Sequence, residues 1–206
     1  TQINLRVNNV FGKITLYATS ELGYKNLTKL SSLSYLQNKE LGEPAVGVSD
    51  LIKNNQDLIL LTGNYYNFFG KLFYVNKIKE FEKIITSLKS HFKDRLYFEI
   101  QRHGENEEKN FENHLLNYSK VLDIPLIATQ EVFYLNHDMH EAHDALICIG
   151  EKKFVDDNTR FKYSNQHYFK NDEELLKLYS DIPEALENNY NFHLRFNYKP
   201  KKSKPI

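Results

Sequence analysis

The sequence predicts an α/β domain, on three observations. Short apolar or alternating runs recur along the chain, stripes of apolar residues at helical spacing lie between them, and Gly or polar clusters separate the two kinds of segment. Ile3-Asn4-Leu5-Arg6-Val7 and Lys13-Ile14-Thr15-Leu16-Tyr17-Ala18 alternate with period two around a turn containing Gly12, so they read as two strands. Ser20 then caps a helix striped by Tyr24, Leu27, Leu30 and Leu33. Asp57-Leu58-Ile59-Leu60-Leu61-Thr62-Gly63 has the pattern of a buried strand ended by Gly, and Ile78, Phe81, Ile84, Ile85 and Leu88 mark the helix after it. Leu96-Tyr97-Phe98-Glu99-Ile100-Gln101 is a further strand. A polar loop through Gly104 and Glu108 leads from it to a helix striped by Phe111, Leu115, Tyr118 and Leu122, and Pro125-Leu126-Ile127-Ala128-Thr129 is the last strand. Strands spaced by single helices imply right-handed crossovers and parallel neighbours.

Beyond residue 130 the pattern turns helical. Asn136 is placed to cap a helix running to Ile149, with Gly150 as its stop. Asn171-Asp172-Glu173-Glu174 and Asp181-Ile182-Pro183-Glu184 each set a capping residue three positions before Glu, and Pro183 suits a first turn. Residues 198–206 carry four lysines and two prolines without apolar periodicity, as a connecting segment does.

Composition narrows the function classes. The 206 residues hold 27 basic and 27 acidic side chains, so a strongly basic nucleic-acid-coating domain is excluded, while 41% apolar content is enough to build a core. The one cysteine, Cys148, excludes an intrachain disulfide and any multi-cysteine zinc site, and suits a reducing cytosol. No apolar run reaches the length of a membrane span, and the start at Thr1 lacks a signal-peptide pattern and an initiator Met, which suggests a fragment.

Two clusters are candidates for chemistry. In parallel units the carboxyl ends of the strands open on one rim, and His103 and Glu131 stand just past two neighbouring strands, placed to share a metal pocket. The alternative keeps Arg102 and His103 as solvated loop residues and packs Glu131 against a helix start. The second cluster is His137, Asp138, His140, Glu141, His143 and Asp144, in which 137, 140 and 144 share a helical face compatible with a divalent metal. It lacks the His-Glu-x-x-His order, and Asn136 with Asp138 suits an ordinary acidic helix start, with His143 a satisfied packing residue. The sequence holds no phosphate loop and no Gly-x-Ser-x-Gly elbow. Cys148 lies in the apolar stretch Ala145-Leu146-Ile147-Cys148-Ile149, where burial makes it inert, so nucleophilic catalysis is not indicated and no catalytic residue is assigned. Lys201, Lys202 and Lys204 are weak candidates for phosphate contact.

An ordered set of segments is similar to the amino-terminal polymerase and histidinol phosphatase (PHP) domain of the bacterial replicative DNA polymerase III alpha subunits. The segments are Gly23-Tyr24-Lys25-Asn26-Leu27-Thr28, Leu58-Ile59-Leu60-Leu61-Thr62-Gly63, Phe98-Glu99-Ile100-Gln101-Arg102-His103-Gly104, Ile124-Pro125-Leu126-Ile127-Ala128-Thr129, Ala142-His143-Asp144-Ala145-Leu146-Ile147-Cys148-Ile149-Gly150 and Asp181-Ile182-Pro183-Glu184-Ala185-Leu186. The resemblance implies an incomplete, distorted β/α barrel of the PHP type followed by carboxyl-terminal helices. It places a PHP domain lacking its first strands over 1–196 and a connection towards the polymerase palm over 197–206, and it leaves sheet edges open to pairing between chains.

The same resemblance implies a degraded metal pocket. The family's early ligand motifs would fall before Thr1, its Gly-x-Glu position falls on Gln2, its next histidine on Lys13, and its Asp-x-His pair on Glu131-Val132-Phe133. Among Gln2, Lys13, His103, Glu131 and Phe133 only His103 and Glu131 keep ligand chemistry, so no metal is expected here, with zinc or manganese only if the pocket works. The implied role is a structural, partner-binding part of a cytoplasmic bacterial polymerase. Magnesium and DNA would be handled by the parent's polymerase site, and the partners would be the rest of the alpha subunit, a proofreading exonuclease and the replicase, with no membrane. The competing expectations are a metal-dependent phosphoesterase or 3'-5' exonuclease-like PHP domain, and a DNA contact through the terminal lysines.

Overall fold

The computed structural model describes residues 1–36 and 42–200, so Lys201, Lys202 and Lys204 lie outside the described residues. Five strands form one open sheet in the order β1 (Gln2–Val7), β2 (Val10–Ala18), β3 (Leu58–Leu61), β4 (Leu96–Ile100) and β5 (Leu126–Ala128). The helices are α1 (Glu21–Leu36), α2 (Val48–Lys53), α3 (Phe68–Tyr74), α4 (Ile78–Phe92), α5 (Glu108–Leu122), α6 (His140–Glu151), α7 (Asp172–Leu178) and α8 (Pro183–Phe192). This mixed sheet with its trailing helices is an incomplete barrel.

The parallel expectation holds for β3, β4 and β5 and fails at β2, which pairs antiparallel with both β1 and β3. The cause is the connection. Two helices, α1 and α2, link β2 to β3 in place of one crossover helix, and the chain re-enters the sheet at the level where it left, with Ala18 opposite Leu58. Short α2 and α3 carry too few turns to show a period in the sequence, and both were missed as helices.

Helix ends follow local chemistry. Ser20 Oγ accepts the Gly23 N–H at 3.1 Å, and Asn171 with Glu174 forms the expected reciprocal box. The second expected box does not form, because the Asp181 carboxylate is drawn to Arg102 instead; Ile182 becomes the cap and Pro183 takes the first turn. Residues 137–139 make a 3₁₀ turn before α6, and that helix ends past Gly150, where Lys152 turns left-handed at φ 55°. Tyr24, expected in the core stripe of α1, is on the surface against Tyr198.

Strand alternation gives the sheet two faces. On the outer face Leu5, Ile14, Leu16, Leu58, Leu60, Leu96, Phe98, Ile100, Leu126 and Ala128 join the helices in the main core. On the inner face Ile59, Leu61, Tyr97 and Ile127 form a small cluster covered by Phe192 and Phe196. The segment after α8 crosses this face. Phe192 meets Tyr17 and Tyr97 edge-on, Arg195 donates to Asp94 and to the Tyr97 hydroxyl, and Asn197 N–H donates to Thr19 O.

The expected open edges are occupied. Along β1, Arg6 N–H donates to Val46 O and Val46 N–H to Asn4 O, so residues 44–46 supply main chain. Along β5 the partner is α8: Asn188 Nδ2 donates to Leu126 O, Asn189 Oδ1 accepts the Ala128 N–H, and Asn189 Nδ2 donates to Ala128 O. No described helix is long and apolar enough to cross a membrane.

Candidate functional site

The parallel strands β3, β4 and β5 bring Gly63, Gln101, His103, Thr129 and Glu131 to one rim, the place where α/β domains hold their chemistry. Gly63 turns with φ 82°, a conformation that costs Gly little, and its N–H points at Glu99. Glu99 projects inward from β4 and is 7% exposed. Its carboxylate accepts from Gly63 N–H at 3.0 Å, Gln101 Nε2 at 3.1 Å and Thr129 Oγ1 at 2.5 Å. Burial pushes this carboxyl above its ordinary range, against the pull of those three donors.

His103 is buried at 2% exposure, and Arg102 is held by Glu112, Asp181 and Leu178 O, so neither is the solvated loop residue of the simpler expectation. Glu131 N–H donates to His103 Nε2 at 3.1 Å, which fixes the lone pair on that nitrogen; Nδ1 therefore carries the proton, 3.2 Å from Glu108 Oε1. Both ring nitrogens are spent. The Glu108 carboxylate also accepts the N–H groups of His103, Gly104 and Glu105, locking the loop. The Glu131 carboxylate accepts the Tyr66 hydroxyl.

His167, on a stretch without periodicity, was not legible as a rim residue. Its ring stacks on His103 at 4.0 Å and 3°, and its Nδ1 bonds Glu131 O at 2.9 Å. Phe133 stacks on its other side at 5.0 Å, and His143 stacks on Phe133 at 5.1 Å. A column of four rings, His103, His167, Phe133 and His143, thus fills the rim. Burial, then the neighbouring His103, pulls His167 down to about 4.

As arranged here these residues do not converge on a cation. A divalent cation needs several free lone pairs aimed at one point; His103 Nε2 is taken by Glu131 N–H, one oxygen of Glu131 accepts the Tyr66 hydroxyl, and Phe133 offers an apolar face. Among the described residues no three His, Cys, Asp or Glu side chains converge in that way. Gln2 and Lys13 are not brought to this cluster; they line a separate cavity of about 160 Å³ with Ser31, Ser34, Tyr35 and Pro44.

The second cluster also resolves into structure. His137 belongs to the 3₁₀ turn, so the shared helical face of 137, 140 and 144 does not form. His140 Nε2 bonds Tyr163 O, and Asp144 takes a bidentate bond from Arg160, whose guanidinium holds the carboxyl below its usual range. His143 packs half-buried between Phe133 and Tyr134, but its Nδ1 is buried without a partner, so it is not fully satisfied. Cys148 is buried, whereas Leu146 and Ile149 of the same stretch face outward.

The family model of the PHP domain matches residues 3–103. Relatives include the DNA polymerase III subunit alpha of Caulobacter vibrioides, 36% identical over 193 residues, which are 94% of this chain and 17% of that protein. That of Rickettsia prowazekii is 36% identical over 198 residues, 96% of this chain and 17% of its own length. That of Vibrio cholerae is 32% identical over 186 residues, 90% and 16% respectively. The chain thus spans about a sixth of the relatives it matches. Residues 3–103 are thus similar to PHP domains, and nearly the whole chain is similar to a part of bacterial DNA polymerase III alpha subunits.

Proposed function

We propose that this chain is the PHP portion of the catalytic alpha subunit of a replicative DNA polymerase, acting as a structural and partner-binding module and not as a phosphoesterase. The observation that carries this reading is the engagement of His103 Nε2, whose lone pair accepts Glu131 N–H while Nδ1–H donates to Glu108. While that hydrogen bond holds, Nε2 has no lone pair to offer a cation, which supports a structural role. Nucleotide transfer with magnesium belongs to the remainder of the parent subunit, and residues 197–206 lead towards it. Docking of a proofreading exonuclease, assembly into the replicase and a cytoplasmic location complete the proposal, supported by kinship with replication proteins.

The test is elemental analysis after loading the chain with zinc or manganese and desalting, beside an assay of phosphodiester hydrolysis. Sub-stoichiometric metal and no metal-stimulated hydrolysis are expected. Stoichiometric metal with hydrolysis abolished by His103→Ala would overturn the reading. Deleting this region from the parent polymerase is expected to reduce its stability and its hold on partners; an unaffected parent would remove the structural role.

A further inference from the structure

On the outer face the short helix α3 is held at its carboxyl end by rings from α4 and α5, and the half-buried His114 of α5 stands at the centre of that contact. Its ring lies 4.7 Å from Phe73 of α3, 4.9 Å from Phe81 of α4 and 4.6 Å from Tyr118 one turn on. Its Nε2 atom is buried with no hydrogen-bond partner. A neutral imidazole protonated at Nδ1 leaves only a lone pair at Nε2, whereas the imidazolium would bury an unmatched N–H together with a charge. Burial accordingly holds this ring below its ordinary value of 6.5, against the pull of Glu82. Glu82 faces the ring from α4, and its carboxylate accepts the Tyr118 hydroxyl of α5. Of the other ionisable groups on these helices, Glu80 is turned to Lys77 and Asn8, Lys71 to Phe11 O, Tyr74 to Glu107 O and Glu112 to Arg102.

We infer that His114 is a proton-sensitive latch on α3: as a neutral ring it fills the space between Phe73, Phe81 and Tyr118, and on protonation it swings out towards Glu82 and water and frees the carboxyl end of that helix. The body of α3 is fixed independently, since Phe68, Phe69 and Leu72 are wholly buried. What opens is the last turn, whose bonds run from Val75 N–H to Lys71 O, Asn76 N–H to Phe73 O and Lys77 N–H to Leu72 O. The helix bears on the rim, because α3 follows directly on the loop of Gly63 and Tyr66; Tyr74 at its end meets Tyr65 at 6.4 Å, and Tyr65 meets Tyr66 at 5.1 Å. Because the closed form binds the neutral ring, the latch is shut above pH 6.5 and loosens as the pH falls through 6.5 towards the lower folded value.

The experiment is hydrogen exchange across the acid range, corrected for the intrinsic rate, at the Val75, Asn76 and Lys77 amides of the 206-residue chain and of its His114→Phe and His167→Phe variants. In the unaltered chain these amides are expected to be less protected than the Phe98 amide of β4, because they open without the rest of the domain. Their protection is expected to fall by up to roughly tenfold for each pH unit below 6.5. His114→Phe, which refills the space with a ring that takes no proton, is expected to abolish that fall, and His167→Phe to leave it intact. The inference is overturned if the unaltered chain shows no fall, if the fall survives His114→Phe, if His167→Phe removes it, or if protection equals that of Phe98 at every pH. Should His114→Phe not fold, an NMR titration of the unaltered chain decides. A His114 ring that titrates below 6.5, with the three amides shifting at the same midpoint, supports the latch. A ring that titrates at or above 6.5, held as a cation by the faces of its aromatic neighbours, or amides that shift at another midpoint, overturns it.

Discussion

The two faces of the sheet are built on different principles. The outer face is a continuous apolar layer in which β3, β4 and β5 alternate with α4 and α5, and Phe98, Leu60 and Ile85 are wholly buried. The inner face carries a four-residue apolar cluster under Phe192 and Phe196, and towards the rim it gives way to Glu99, Gln101, Thr129 and the ring column. Burial is the main support of the outer face, whereas the inner face depends on polar groups that, His143 Nδ1 excepted, are matched to specific donors or acceptors. Such a surface tolerates little substitution even without catalysis.

The largest effect that separates the faces is expected at Phe98. Phe98→Ala should cost about 3–5 kcal/mol of unfolding free energy, read from urea denaturation, because its surroundings cannot collapse into the space. Glu108→Ala follows at about 2–4 kcal/mol, since it strands the N–H groups of His103, Gly104 and Glu105 and the His103 Nδ1 proton. A loss under about 1 kcal/mol would mean that the loop is held from elsewhere. Phe192→Ala, on a half-buried inner-face ring, should cost about 1–2 kcal/mol; a loss equal to that of Phe98→Ala would erase the distinction between the faces.

The smallest effect at neutral pH concerns His167. Its folded value, about 4, lies below the ordinary 6.5, so the fold binds the neutral ring better than the unfolded chain does. That contribution is full above about pH 6.5 and is lost as the pH falls through 6.5 towards 4, with a slope of at most about 1.4 kcal/mol per pH unit. His167→Phe should keep the stack and flatten this stretch of the stability curve. An unchanged slope would assign the acid sensitivity to His114, whose value burial also lowers.

How much of this was legible in the sequence divides along the same line. Stripes such as Phe81, Ile84, Ile85 and Leu88 announce a helix on the outer face, because burial leaves a periodic trace. Glu99 sits within an apolar run and was read only as part of a strand; its role depends on Thr129 and Gly63, each distant in sequence. His103 and Glu131 were correctly placed near each other, but the spacing did not reveal that a backbone N–H of one occupies the ring of the other. Nor did it show that Arg102 would outbid the α8 helix start for Asp181. Long-range polar matching leaves no period to read.

The strap after α8 gives the domain a direction of mechanical response. Arg195 is clamped to Asp94 at the start of β4, Asn197 is tied to Thr19 at the end of β2, and Phe192 and Phe196 are wedged against Tyr17. A pull arriving through Pro200 therefore reaches the middle strands of the sheet before it reaches α8 itself. The strap acts as a strain relief, passing tension to the sheet and sparing the asparagine contacts behind it.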